Sequence, residues 1–332
     1  MKLILTDSHN PYYNLACEEY YLRHSAEDVF MLWQNEPSVI IGKNQDMYTE
    51  VDVDFTESQG IHVARRITGG GAVYHDLGNV NYSFITSREK ANVLDFAYFT
   101  APVLKALASL GVKAALSGRN DLISELSGGA TAKFSGNAQT ATNDRILHHG
   151  TLLFDSDMTV LSKALKPDPE KLRTKAIQSV RSRVVNLREL VSGEMDTAAF
   201  FEFLKTFAEK EFGGFFETAD RLSVLETGLY DRNKSADYNA GRKESYAFSR
   251  KKRFPGGTLM VLWNEEAGRI STVRIEGDFF GEKDTKELEA LLMGAESTAE
   301  GLRAALSGIS VADYVSTVEN SDFVAFLTEA EA

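Results

Sequence analysis

Two arginines, Arg65 and Arg66, precede the run Thr68-Gly69-Gly70-Gly71-Ala72-Val73-Tyr74-His75. Glycines let backbone come close to a ligand and turn N–H groups on an anion, and an adjacent guanidinium adds charge-assisted bonds, so phosphate or carboxylate is the natural guest. A glycine-rich turn beside two surface arginines is the plainer reading of the same residues. The run is not a P-loop, because no GxxxxGK[ST] occurs, and it lacks the GxGxxG spacing. Lys133 opens Lys133-Phe134-Ser135-Gly136-Asn137-Ala138 and is either a fixed positive charge or an ordinary exposed strand lysine. Asp121 follows Gly118-Arg119-Asn120; it suits Mg²⁺, which takes one or two carboxylates beside phosphates, and equally a turn cap. Arg181 and Arg183, one residue apart, share a face in any strand.

His75, His148 and His149 invite a catalytic or metal reading, since imidazole titrates near neutrality. Adjacent strand residues point to opposite faces, so only one of His148 and His149 can line a pocket, and His149 is the candidate. The six histidines and the single cysteine show no CxxC or HExxH spacing, so a structural metal is not expected.

These residues need elements to hold them. A strand over residues 2–6 precedes Asn10-Pro11 and a helix carrying Leu15, Cys17, Glu18, Glu19, Tyr20, Tyr21 and Leu22. Val29–Trp33, Ser38–Ile41, His62–Ile67 and Val80–Ile85 read as strands, and Ala101–Leu110 as a helix stopped by Gly111. Lys133–Ala138 and Ile146–Phe154 form the arms of a hairpin around Thr140–Asp144. Ala198–Glu211 is an amphipathic helix with Phe200, Phe201, Phe203, Leu204 and Phe207 on or near one face. Asp231–Glu244 is polar and poor in aliphatic residues, which suits a linker or an irregular edge, and beyond it Thr258–Trp263, Arg269–Ile275 and three helices from Thr285 onward make a small unit. The pattern lacks a βαβα rhythm, which predicts an α+β fold: a large mixed or antiparallel sheet domain over 1–245 and a small α+β domain over 246–332.

Composition agrees. With 332 residues, 43% apolar and 25% charged, the chain is long enough for about two folded domains. A net charge of −12 disfavours nucleic acid and anionic membranes as partners. The absence of a long apolar run or secretory leader predicts a cytoplasmic location, and the absence of a heptad pattern a monomer. The one dense basic run, Arg250-Lys251-Lys252-Arg253, reads first as a solvated face and second as a contact for an acceptor.

The glycine segment, Gly118-Arg119-Asn120-Asp121, the Lys133–Gln139 motif and His148-His149-Gly150-Thr151-Leu152-Leu153-Phe154 together resemble, in order and spacing, the lipoate–protein ligase family. The likeness extends to Asn14-Leu15-Ala16 with Glu18-Glu19, Gly42-Lys43-Asn44-Gln45, Ser179-Val180-Arg181-Ser182-Arg183-Val184 and Gly277-Asp278-Phe279-Phe280. It implies the biotin/lipoate ligase fold and a two-step reaction: lipoate and ATP with Mg²⁺ give lipoyl-AMP and pyrophosphate, then the lipoyl group passes to a lysine of a lipoyl domain. The acceptors implied are the lipoyl domains of 2-oxoacid dehydrogenase E2 subunits and the glycine cleavage H protein. By the same resemblance Lys133 touches the acyl carboxylate and the α-phosphate. Arg66, Gly71, Ala72, Val73, Tyr74, Arg181 and Arg183 contact ATP or adenylate, Gly69 and Gly70 close over the acyl chain, and His149 is the histidine available to lipoate. Tyr74 stands where phenylalanine is common.

Two rivals share the fold. Octanoyl-transferases and lipoyl amidotransferases route the acyl group through a cysteine thioester, for which Cys17 is the only residue available, though a small buried side chain is its plainer role. A non-catalytic lipoyl-domain-binding protein is the rival of another class; retention of Lys133, Arg66 and the three glycines argues against it.

Overall fold

The computed structural model describes residues 1–118, 120–126, 129–166, 184–241 and 244–329. Strands β1 (Lys2–Leu5), β2 (Val29–Trp33), β3 (Ser38–Ile41), β4 (His62–Arg65), β5 (Val73–His75), β6 (Asn79–Ser87), β7 (Ala114–Ser117), β8 (Asp121–Glu125), β9 (Thr131–Ala141), β10 (Arg145–Leu153) and β11 (Phe216–Thr218) build the large part. An eight-stranded sheet runs β11-β1-β2-β6-β10-β9-β8-β7, parallel where β1 meets β11 and β2 and antiparallel elsewhere. Strands β4, β3 and β5 form a second small sheet. Strands β12 (Phe248–Phe254), β13 (Gly257–Glu266) and β14 (Arg269–Gly277) form an antiparallel third, covered by helices Thr285–Leu292, Ala299–Ala305 and Asn320–Thr328. The mixed α+β architecture is the one expected.

Two compact units emerge. The large one holds Met1–Ile41, Met47–Arg66 and Val73–Asn239; the small one holds Ala240–Ala332 together with Gly42–Asp46 and Ile67–Ala72. The division thus falls at Asn239/Ala240 rather than after residue 245, and two short segments from the first quarter of the chain pack with the small unit.

Helix α1 (Pro11–His24) starts where Asn10 accepts the Tyr12 and Tyr13 amides, with proline at the first position, where its missing N–H costs nothing. The helix expected from Ala101 begins at Phe96, because Asp95 caps Tyr98 N and Phe96 and Phe99 have core to fill; Pro102 lies inside it. Helix Thr197–Phe212 buries Phe200 fully, stacked on Phe154 at 4.4 Å, and leaves Phe201 at the core's edge.

The polar stretch 231–244 is the main departure. Its first half forms helices Leu229–Lys234 and Ala236–Ala240 within the fold. Asn233 and Asn239 are buried, donating to Tyr12 O and Asn233 O, and Asn239 Oδ1 accepts Arg65 N. Polar composition here serves specific buried bonds, which composition alone does not distinguish from a solvated linker.

Truncating Phe200 to alanine removes a buried ring from the largest core and is expected to lower the unfolding free energy by about 3–5 kcal/mol. Phe201→Ala is expected to lose much less, and denaturant titration of the two variants side by side checks the ranking.

Candidate functional site

Strand β9 pairs with β8 through a register shift: Leu122 faces Ser135 and Ile123 faces Lys133, so Phe134 is the extra residue. A bulge of this kind re-aims side chains. Phe134 is fully buried in the core, whereas the Lys133 side chain stays about one-third accessible, with Nζ 2.7 Å from Asp121 Oδ1. Gly136 makes room for that side chain, since a Cβ there would lie 3.0 Å from Lys133 Nζ and 3.3 Å from Cε. The Lys133 carbonyl accepts Val185 N at 2.9 Å, and Val184 bridges Lys133 in parallel.

Asn137 closes this end of the strand. Its Nδ2 donates to Asn120 O, Asn120 Nδ2 donates back to Asn137 O, and its Oδ1 accepts the Tyr82 hydroxyl. Gly150, opposite Asn137 on β10, has no room for a side chain: a Cβ would lie 2.1 Å from Asn137 Oδ1. Within the Lys-x-Ser-Gly-Asn motif, Ser135 Oγ accepts a further bond from Asn137 Nδ2, Asn137 holds the strand, and Gly136 leaves space beside the lysine.

The two histidines diverge as strand alternation predicts. His148 stacks on Phe99 at 4.9 Å and bonds Gln139 through Nδ1, inside the aromatic core. His149 Nδ1 lies 2.9 and 3.1 Å from the oxygens of Glu18, which also accepts Ser83 Oγ at 2.6 Å, and Ser83 Oγ in turn accepts Trp33 Nε1. Glu18 is the residue that reading the motif left without a job. Its signal was present: Asn14 and Glu18 stand four apart on one helical face among Pro11, Leu15, Tyr21 and Leu22, which marks polar groups facing inward. His75 is also buried, its Nδ1 against Asn35 Nδ2 at 3.0 Å.

Arg65 and Arg66 are both buried. Arg65 is anchored on the Tyr238 and Asn239 carbonyls, and Arg66 Nη1 donates to Ile40 O at 2.9 Å. Burial lowers the Arg66 guanidinium to about 10, opposed by the Glu18 charge, so it remains a cation at neutral pH. Val73 and Tyr74 lie in β5, Tyr74 buried and its hydroxyl pushed up by burial. Gly69, Gly70, Gly71 and Ala72 belong to the small unit, where Gly70 has φ +87° and donates its N–H to Phe279 O at 3.1 Å. Arg181 and Arg183 lie outside the described residues. Asp121 sits against Lys133 at the start of β8 rather than capping a turn, and among the described residues no three acidic, histidine or cysteine side chains converge as a metal cluster.

Cys17 is fully buried on α1, and burial pushes its thiol up to about 12. A thioester nucleophile needs an accessible, acidified thiol, and Cys17 has neither property. Iodoacetamide at pH 8 is expected to leave the native protein unlabelled and to label Cys17 only after denaturation, as peptide mass spectrometry would read directly.

Burial drives His75 down to about 3 and His148 well below its ordinary value. Once unfolded, both bind protons as pH falls through about 6.5 while the folded protein does not, so stability declines by about 1.4 kcal/mol per pH unit for each. The window from about pH 6.5 to 5 lies above the range of ordinary carboxylates. Chemical denaturation across it is expected to show a shallower decline for His148→Gln than for the parent; equal slopes would contradict the assignment.

Comparison with known proteins places these features in a family. The model of the lipoyl protein ligase A/B catalytic domain matches residues 10–208, and that of the bacterial lipoate protein ligase C-terminus matches 243–327. The lipoate-protein ligase LplJ of Bacillus subtilis is 38% identical over 97% of this chain and 99% of its own. Among solved structures, a bi-partite lipoate protein ligase studied with its E2 lipoyl domain from Thermoplasma acidophilum is 29% identical with TM-score 0.62, over 74% of this chain and 98% of that one. A lipoate-protein ligase A bound with ATP is 27% identical with TM-score 0.59, over 72% and 98%. The chain belongs to the lipoate–protein ligase family, enzymes that form an amide bond.

Proposed function

We propose that this ligase activates lipoate with ATP and then lipoylates a lysine of a lipoyl domain. In the first step a lipoate carboxylate oxygen attacks the α-phosphorus of ATP, forming lipoyl-AMP and releasing pyrophosphate. In the second, the acceptor lysine amine attacks the acyl carbonyl, the amide forms, AMP leaves, and the amine gives up a proton. Two anions must approach in the first step, so the site needs a positive charge already in place.

Lys133 is the observation that carries this reading. Its backbone is held in a bulged strand by bonds on both sides, yet the pair its ammonium makes with Asp121 is solvent-accessible. An accessible pair of this kind is worth only about 0–1 kcal/mol, so Asp121 yields readily to a carboxylate or phosphate. Arg66, Gly71, Ala72, Val73 and Tyr74 are assigned to nucleotide, Gly69 and Gly70 to the acyl chain, and His149, held by Glu18, to lipoate. Arg181 and Arg183 complete the adenylate set by the family motif. Mg²⁺ arrives with ATP, held chiefly by phosphates and water, with Asp121 the one carboxylate assigned to it.

Acceptors follow from the same reading: lipoyl domains of 2-oxoacid dehydrogenase E2 subunits and the glycine cleavage H protein. The archaeal relative was studied with an E2 lipoyl domain, which supports that class. No helix among the described residues is long and apolar enough to cross a membrane. A cytoplasmic monomer is the form proposed.

Pyrophosphate release by the purified protein with ATP, Mg²⁺ and lipoate is expected to fall by at least about 100-fold in Lys133→Ala, with circular dichroism unchanged. Subsequent lipoylation of an added apo lipoyl domain would complete the case. Release indifferent to Lys133, or transfer from supplied lipoyl-AMP without any release, would replace this assignment.

A further inference from the structure

The Gly277-Asp278-Phe279-Phe280 motif has no duty in the chemistry above, yet the small unit uses it to hold two early segments of the chain. Gly70 N–H donates to Phe279 O at 3.1 Å, and Gly277 N–H donates to Asn44 O at 2.8 Å. Lys43 N–H donates to Thr68 O at 2.8 Å, tying the 42–46 and 67–72 segments to one another. Lys43 Nζ lies 2.9 Å from Asp284 Oδ2, while Asp284 Oδ1 caps the helix that follows by accepting Lys286 N. Gly69 is pressed against the motif so closely that a Cβ would lie 2.5 Å from Phe279 O.

The Phe279 carbonyl is itself fixed. Gly277, at φ +151°, leaves no space for a side chain against Thr258 O, and Gly257, at φ +143°, packs against Asp278 O and Phe279. Asp278 accepts Thr258 N and Arg253 Nη1. The acceptor for Gly70 therefore lies just past the end of β14, on a fully buried residue whose backbone packs against Gly257 of β13.

We infer that Gly277–Phe280 is the seat of the glycine loop, with Phe279 and Asp284 acting as positioning residues that set the loop's shape for the acyl group. The inference rests on the proposed role of Gly69 and Gly70 in lipoate binding. It assigns Gly69 a reason to be glycine that is separate from ligand approach: the small unit's backbone occupies the space of its Cβ.

Two readouts test it in the full-length protein. Gly69→Ala is expected to raise KM for lipoate at least about tenfold in pyrophosphate release, with kcat within about threefold, because loop shape serves binding rather than the reacting atoms. Hydrogen exchange of the peptide covering residues 67–72 is expected to quicken at least about tenfold as the Gly70 bond to Phe279 is lost. Asp284→Ser keeps a helix cap but removes the carboxylate that pairs with Lys43, and is expected to move both readouts the same way by a smaller factor; it serves also if Gly69→Ala does not fold. Unchanged exchange and KM in both variants, in an enzyme that releases pyrophosphate, would overturn the seat alone. A parent protein that releases none would overturn the ligase reading, while exchange in the variants would still decide the seat.

Discussion

Helix α1 carries three polar side chains, Asn14, Glu18 and Glu19, that are at most 1% exposed, and much of the large unit is arranged to answer them. A carboxylate removed from water is tolerable only when ions or hydrogen-bond donors replace the lost hydration. Glu19 takes the forked guanidinium of Arg232 and a second bond from Arg23; burial alone would raise its carboxyl, and these cations more than offset it, leaving it below the ordinary range. Glu18 takes His149 and Ser83, and Asn14 Nδ2 reaches Ser8 O, Gln34 O and Asn35 Oδ1. One helix thereby ties β2, β6, β10 and the helix Leu229–Lys234 together through groups that each have more than one partner.

The site uses the opposite strategy. Lys133 is presented on a strand whose neighbouring residues Phe134 and Asn137 are buried in the core and in a hydrogen-bond network, but its own charge partner is accessible and weakly held. A backbone held in this way beside an exchangeable ion pair suits the role proposed for Lys133, in which it meets a carboxylate and the α-phosphate in turn. Under that proposal, preorganisation resides in the bulge at Phe134 and the Asn137–Asn120 exchange of bonds, which hold the backbone whichever anion faces the lysine.

Much of this was legible from residue types. Alternation placed His148 and His149 on opposite faces, the Asn10-Pro11 pair began α1, and the strands around residues 29–41 and 133–154 follow their apolar patterns closely. Three readings changed on folding. The helix expected at Ala101 begins at Phe96 because a cap and two aromatic side chains outweigh an internal proline. The presumed linker at 231–244 begins as buried structure because its asparagines and Arg232 have partners more than 170 residues away. The paired arginines, which look like surface charge, are buried against backbone carbonyls.

By itself the sequence determined the class of fold and the family, through motifs read in order along the chain, and the local grammar of caps, turns and alternating strands, which depends on neighbours within a few positions. Only the tertiary structure decided which distant groups complete one another: Glu18 with His149, Glu19 with Arg232, and the glycine run with the Phe279 carbonyl. Buried polar pairing carries no periodic signature. It is chosen by which desolvated groups the folded chain brings within hydrogen-bond reach, and that choice exists only once the chain has closed.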